Sequence, residues 1–280
     1  MKKLSLLLVA MLTLNGVAAQ IVTPQPSPAA KVMQEVGLTD VTLEYSRPAM
    51  RGRVIFGDLV PYNQLWRTGA NANSTVTFST PVTINGTAIK AGTYAVFTKP
   101  GASTWDVILY KDASNWGLPQ KWDDAQVAAT ATVTPKAVTA SAESFTMGVH
   151  NVSQDGAHLT IGWDKTQVAV PFEVPTDATV SAAITKVMNG PSASDYYAAA
   201  VYYNTSGKDI NQAKEWMEMA MALTEKPAFW QLRQQSLIYA KAGDTKKAIA
   251  TAKRSLEGAI EAGNMDYVKM NKDSLKEWGA

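Results

Sequence analysis

A chain of 280 residues, 46% hydrophobic and 18% charged, is globular in composition, and its 18 Gly and 13 Pro are too few for a fibrous protein. The lack of Cys excludes disulfide scaffolds, thiolate metal sites and cysteine nucleophiles. Lys2 and Lys3 carry the whole formal charge of +2, so the rest of the chain is neutral and offers no electrostatic footprint for nucleic acid or an anionic membrane.

Those two lysines precede an apolar run from Leu4 to Leu14, and Val17-Ala18-Ala19 follows. The pattern is that of a signal peptide over residues 1–19, cleaved before Gln20; a run of about eleven apolar residues is too short to cross a hydrocarbon core of about 30 Å. The expected address is periplasmic or secreted, with no membrane insertion after cleavage.

From Lys31 to Val174, stretches rich in Val, Thr, Ile and Tyr alternate with Gly, Pro, Asn and Asp, which is a strand signature. The spacing predicts strands over 41–45, 75–78, 82–84, 87–89, 93–98, 105–110, 128–133, 144–149, 158–163 and 167–174. Asn85-Gly86 between two alternating flanks predicts a type I′ hairpin turn. After Pro175 the period becomes that of a helix, and Ala, Met, Lys and Glu replace Val and Thr. Helices are predicted over 179–188, 194–204, 210–224, 228–242, 245–262 and 265–278. Asp209 and Asp244 suit N-caps, Pro227 suits a helix start, and Gly243 and Gly263 suit C-terminal caps. The fold class is therefore α+β and multidomain: an antiparallel β-sandwich over residues 20–175, then a bundle of α-helical hairpins over 176–280. Ala213, Met217 and Ala220 after Gly207 are echoed by Ala248, Ala252 and Ser255 after Gly243, a repeat-like pattern similar to tetratricopeptide units.

Chemistry concentrates between Tyr45 and Asn73, which holds Arg47, Arg51, Arg53 and Arg67, four of the six arginines, among Tyr45, Phe56, Tyr62 and Trp66. Guanidinium forks bind carboxylate or phosphate and stack on rings, so they suit an anion or acidic-sugar pocket. They equally suit structure, paired to Asp58 or Glu44 or bonded to loop carbonyls. The candidate ligand-binding set is Arg47, Arg51, Arg53, Asp58, Tyr62, Trp66, Arg67 and Asn71. Trp105, Trp116 and Trp122 add indoles that either stack on a sugar or fold back over the core.

In Tyr45-Ser46-Arg47-Pro48, Gly52-Arg53, Ile55-Phe56-Gly57, Val60-Pro61-Tyr62, Trp66-Arg67-Thr68-Gly69-Ala70-Asn71, Ala91-Gly92-Thr93-Tyr94 and Trp105, the sequence resembles the family known as domain of unknown function 2911. The resemblance covers roughly residues 28–174, departs from the family pattern in small ways such as Asn63, and leaves the helical half outside. It implies an exported, mostly β domain and no activity.

His150 and His158 bracket a turn, where a metal would need Asp155 as a third ligand; Asp123 and Asp124, being adjacent, suit surface better than paired-carboxylate chemistry. No nucleophile elbow, metalloprotease pair, phosphate loop or dinucleotide fingerprint is present. The sequence thus implies no catalytic residue, no metal site and no cofactor. The expected function is an exported, non-enzymatic binding protein for a glycan or small anionic ligand, with the helical half as a surface for another envelope protein. The alternative is a hydrolase of envelope polysaccharide or peptide that uses Asp58 among the arginines.

Overall fold

A computed structural model describes residues 23–188 and 190–280 of the chain. The expected signal peptide lies outside the described residues. The chain divides into two compact units, Met1–Thr176 and Asp177–Ala280.

Among the described residues the first unit contains ten strands: β1 (Ala29–Val36), β2 (Thr39–Ser46), β3 (Thr75–Phe78), β4 (Val82–Ile84), β5 (Thr87–Ile89), β6 (Gly92–Pro100), β7 (Trp105–Tyr110), β8 (Val127–Val133), β9 (Lys136–His150) and β10 (Gly156–Glu173). They form two antiparallel sheets, one ordered β1-β2-β3-β6-β7-β8 and the other β5-β4-β10-β9. Alternation along each strand sends one set of side chains inward. On β2, Thr39, Val41, Leu43 and Tyr45 are buried. Val41, Leu43 and Tyr45 join Phe145, Met147, Leu159, Ile161 and Phe172 of the other sheet in one continuous core. Asn85 and Gly86 both have positive φ, 48° and 75°, as a type I′ turn requires.

Three differences from the sequence expectation have physical causes. Strand β1, which carries Lys31, Gln34 and Glu35, is an edge strand exposed or half-exposed over seven of its eight residues. Strand β9 begins at Lys136, in a Thr, Ser and Ala stretch with little apolar alternation. The expected break near Asp164 is a β-bulge inside one long strand: the register shifts on either side of Asp164, whose φ is 50°.

The outer face of the first sheet is also covered. Ala95, Phe97 and Tyr110 are buried there beneath Leu65 and Trp122. The loop between β7 and β8 therefore folds back onto the sheet, with the Trp122 ring 5.6 Å from Phe97 and 4.5 Å from Tyr110.

The second unit consists of α1 (Thr176–Val187, which begins at the unit boundary), α2 (Ala193–Thr205), α3 (Ile210–Ala222), α4 (Phe229–Lys241), α5 (Thr245–Glu261) and α6 (Met265–Glu277). Helix α2 packs on α3, α4 on α5, and α5 on α6. Asp209 accepts from the Asn211 and Gln212 amides, and Asp244 from that of Lys247, so both act as N-caps. Pro227 stands one residue ahead of the α4 N-cap, Ala228, rather than inside the first turn. Ala213, Ala220, Ala248, Ala252 and Ser255 are fully buried, which lets paired helix axes approach closely.

Candidate functional site

The irregular segment 47–74 links β2 to β3, and its first residues close one side of the sandwich. Tyr45, near the end of β2, and Arg47, just beyond it, both reach β9. Tyr45 Oη donates to the Met147 carbonyl at 2.9 Å. Arg47 donates through Nε to the Phe145 carbonyl (3.0 Å) and through Nη2 to Thr146 Oγ1 (2.8 Å). The main chain then runs along β9: the Phe145 amide donates to the Pro48 carbonyl and the Met50 amide to that of Glu143. The Tyr-Ser-Arg-Pro run is thus a clasp between the two sheets, and Arg47 is part of it.

Arg51 is exposed; it donates from Nη2 to the Pro26 carbonyl (3.3 Å), and Glu143 accepts from its amide (2.8 Å). Asp58 sits at the exposed tip of a turn closed by the Gly57 amide donating to the Val60 carbonyl, with no hydrogen-bond or ion-pair partner among the described residues. Tyr62 lies against Gly57, where an added Cβ would come within 2.8 Å of its ring. It lines a separate cavity of about 220 Å³ with Phe56 and Trp105. Arg47, Arg51, Asp58 and Tyr62 therefore stand apart from the rest of the expected set.

The remainder converges. Arg53, Trp66, Arg67 and Asn71 line one open pocket of about 400 Å³, together with Trp116 and Trp163. Its floor is aromatic. The Trp66 ring stacks on Trp163 at 6.1 Å and 14°, and Phe145 sets its edge against both, at 5.4 and 6.0 Å. Trp66 is fixed by two main-chain hydrogen bonds with Thr98 of β6, at 2.7 and 3.0 Å. Its neighbour Thr68 is fully buried at a φ of 56°, a conformation that a β-branched residue adopts only under constraint. The constraint is visible: Thr68 Oγ1 lies within hydrogen-bond distance of Thr98 Oγ1 (3.0 Å) and of the Trp66 carbonyl (3.3 Å), and the Thr68 carbonyl accepts from Ser74 Oγ (2.5 Å).

The loop between β7 and β8 completes the rim. Asn73, nearly buried, donates through Nδ2 to the Gly117 carbonyl at 2.6 Å, and its amide donates to the Asn115 carbonyl at 3.2 Å. A Cβ at Gly117 would come within 3.2 Å of Arg67 Nη1, so the guanidinium lies directly against that backbone. Between these anchors Trp116 is 75% exposed. Of the three tryptophans in this region, Trp105 is core and Trp122 folds back on the sheet, which leaves Trp116 as the indole offered to a ligand.

The arginines are held by carbonyls rather than acids. Arg53 donates from Nε to Met50 (2.9 Å) and from Nη2 to Ala49 (2.7 Å), and Arg67 donates from Nη1 to Asn71 (3.2 Å). Glu44, one of the acids expected to pair with them, is taken by Lys31 at 2.9 Å. Among the described residues no carboxylate forms an ion pair with Arg53 or Arg67. The two histidines are directly paired across β9 and β10 but bond separately, His150 Nδ1 with Thr160 Oγ1 (2.8 Å) and His158 Nδ1 with Asn151 Nδ2 (3.1 Å). No cluster of three metal-ligating side chains occurs among the described residues.

Sequence reasoning missed Trp163, Asn73 and Gly117 as site residues. Trp163 gave an inward-facing signal in its strand, whereas Asn73 and Gly117 act through a contact between two loops about forty residues apart.

The chain belongs to the family described as "Protein of unknown function (DUF2911)", whose model matches residues 27–172. The match contains every residue that lines the pocket. Neither the comparison with curated proteins nor that with solved structures gives a match.

Proposed function

We propose that this protein is an exported binding protein whose pocket between Arg53, Arg67 and Trp116 takes an anionic ligand, a carboxylate or a phosphate. The observation that carries the reading is the pairing of two guanidinium groups on one pocket, neither of them ion-paired to an acid among the described residues. A guanidinium has five N–H donors; Arg53 uses two on the main chain and Arg67 one, so both arginines that line the pocket keep donors for a ligand. Anchoring by neutral carbonyls keeps the positive charge available, while the aromatic floor lowers the local dielectric and strengthens its pull on an anion.

Two observations favour binding over hydrolysis. The residues lining the pocket include no carboxylate and no imidazole, the groups that would serve as general acid or base. Asp58 stands on a turn outside the lining. For export, the support is the pattern of Lys2-Lys3, the apolar run from Leu4 to Leu14 and Val17-Ala18-Ala19, which is that of a cleavable signal peptide.

The test is a melting and calorimetric titration of the protein with glucuronate, glucose and inorganic phosphate, repeated on Arg67→Ala and Arg67→Lys. At 100 times its dissociation constant a ligand stabilises by about 2.7 kcal/mol. Glucuronate or phosphate is expected to raise the melting temperature while glucose does not, and Arg67→Lys, which keeps charge but loses the fork, should recover only part of what Arg67→Ala removes. Equal shifts with glucose and glucuronate, or anion binding unchanged in Arg67→Ala, would overturn the reading. Export is checked by the mass of the protein from a cell-envelope fraction, expected to begin at Gln20.

A further inference from the structure

Trp116 separates two clefts, and their chemistry differs. On one side is the pocket of Arg53 and Arg67. On the other is an open cleft of about 840 Å³ lined by Asp112, Asn115, Gln120, Lys121, Asp123 and Gln126, besides Tyr110, Leu118 and Pro119. The same indole forms a wall of both, and it is 75% exposed on a loop fastened at Asn73, Gly117 and Trp122. Placed between two clefts, the indole offers each of them a flat face on which a ring can stack.

The second cleft is polar in a particular way. Six of its ten lining residues carry a charge or a side-chain amide, two of them carboxylates against one lysine. Asp112 accepts from Ser114 Oγ (2.6 Å) and from the Ser114 amide (3.0 Å), and these bonds hold its carboxyl below the ordinary carboxylate range. Asp123 accepts from the Ala125 amide (3.0 Å). Neighbouring carboxylates and amides offer hydrogen bonds to hydroxyl groups and repel a second anion. Apolar side-chain pockets and a free sheet edge, which peptide recognition ordinarily uses, are not what this cleft supplies.

We infer that the ligand is an oligosaccharide in which an acidic sugar is joined to a neutral one, the acid seated between Arg53 and Arg67, the neutral ring in the Asp112–Asp123 cleft, and the chain crossing Trp116. The inference rests on the anion-binding reading of the first pocket and adds the polymeric nature and charge order of the ligand. An uninterrupted polyuronate is rejected because its next carboxylate meets Asp112 and Asp123. A neutral glycan leaves two guanidinium groups unmatched.

Five probes decide it by calorimetry on the full chain: glucuronate, a hyaluronan tetrasaccharide as an alternating acidic and neutral chain, tetragalacturonate, cellotetraose, and a tetraglutamate peptide as the acidic peptide. The tetrasaccharide from hyaluronan is expected to bind at least tenfold tighter than glucuronate and than either uniform chain. Trp116→Ala, at a solvent-exposed site where the melting temperature should not move, is expected to abolish that advantage. Lys121→Ala with Gln120→Ala should weaken the tetrasaccharide and leave glucuronate unchanged. If glucuronate and the hyaluronan tetrasaccharide bind equally, or tetragalacturonate binds best, the two-cleft inference is overturned while the arginine pocket stands. Tighter binding of an acidic peptide than of any of the sugars would overturn the assignment of ligand class. If no anionic probe binds, the reading of the first pocket falls as well.

Discussion

Phe145→Ala is expected to destabilise the β unit by about 3–5 kcal/mol, the usual cost of emptying a core aromatic site. Phe145 is fully buried, and its ring makes edge contacts to Tyr45 (5.8 Å), Trp66 (5.4 Å) and Trp163 (6.0 Å). Its main chain belongs to the same clasp, since its amide donates to Pro48 and its carbonyl accepts from Arg47. The neighbours that would have to collapse into the cavity are themselves held: Tyr45 by the Met147 carbonyl, Trp163 Nε1 by the Glu143 carbonyl (3.1 Å), and Trp66 by Thr98. Relaxation is therefore limited, which places the cost in the upper part of the range. Because the chain has two units, a single global transition is not assured; hydrogen exchange resolved to β9 and β10 peptides is the suitable measurement beside denaturant unfolding. Phe145→Leu should cost about 1.5 kcal/mol or less, as swaps of one large apolar group for another do. A loss below about 1 kcal/mol for Phe145→Ala would mean that the aromatic floor is not packed as a unit.

The arginine-rich segment was legible as a chemical concentration but not as a shape. Charge and ring content picked out Arg53, Trp66, Arg67 and Asn71 together with Arg47, Arg51, Asp58 and Tyr62, because composition does not record which way an irregular chain turns. What sorts them is local geometry: Arg47 faces β9, Asp58 caps a turn, and Tyr62 covers Gly57. The strands and helices were far more legible, since periods of 2 and 3.6 are repeated many times along each element. Strand β1 escaped because an edge strand need bury little, and its alternation is correspondingly faint. The rim at Trp116 depends on Asn73 meeting Gly117, a contact between loops for which a single sequence carries no periodic signal.

Gly69→Ala is the substitution expected to couple the fold to the pocket most directly. Gly69 has a φ of 130°, and a Cβ added there would lie 2.9 Å from Ser74 Oγ, 3.2 Å from the Ser46 carbonyl and 3.4 Å from Phe145 Cε1. The backbone cost of a non-glycine residue in such a conformation is about 1–3 kcal/mol, and crowding of a packed interior adds about 1–3 kcal/mol. A total loss of about 3 kcal/mol or more is expected. Gly52 provides the comparison: its φ is also positive, at 70°, but an added Cβ meets nothing within 4 Å, so Gly52→Ala carries only the conformational cost of about 1–2 kcal/mol. Two glycines of one segment thus separate strain from crowding. The crowded one also lies between Arg67 and Asn71 and next to Thr68, so relief of the clash must come by moving the turn that aims Arg67. Gly69→Ala should therefore weaken glucuronate binding in the protein that remains folded, whereas Gly52→Ala should lower stability with less effect on binding. Equal stability losses in the two variants would show that the Ser46, Ser74 and Phe145 contacts yield without cost, and that the turn is softer than its hydrogen bonds to Thr98 and Ser74 imply.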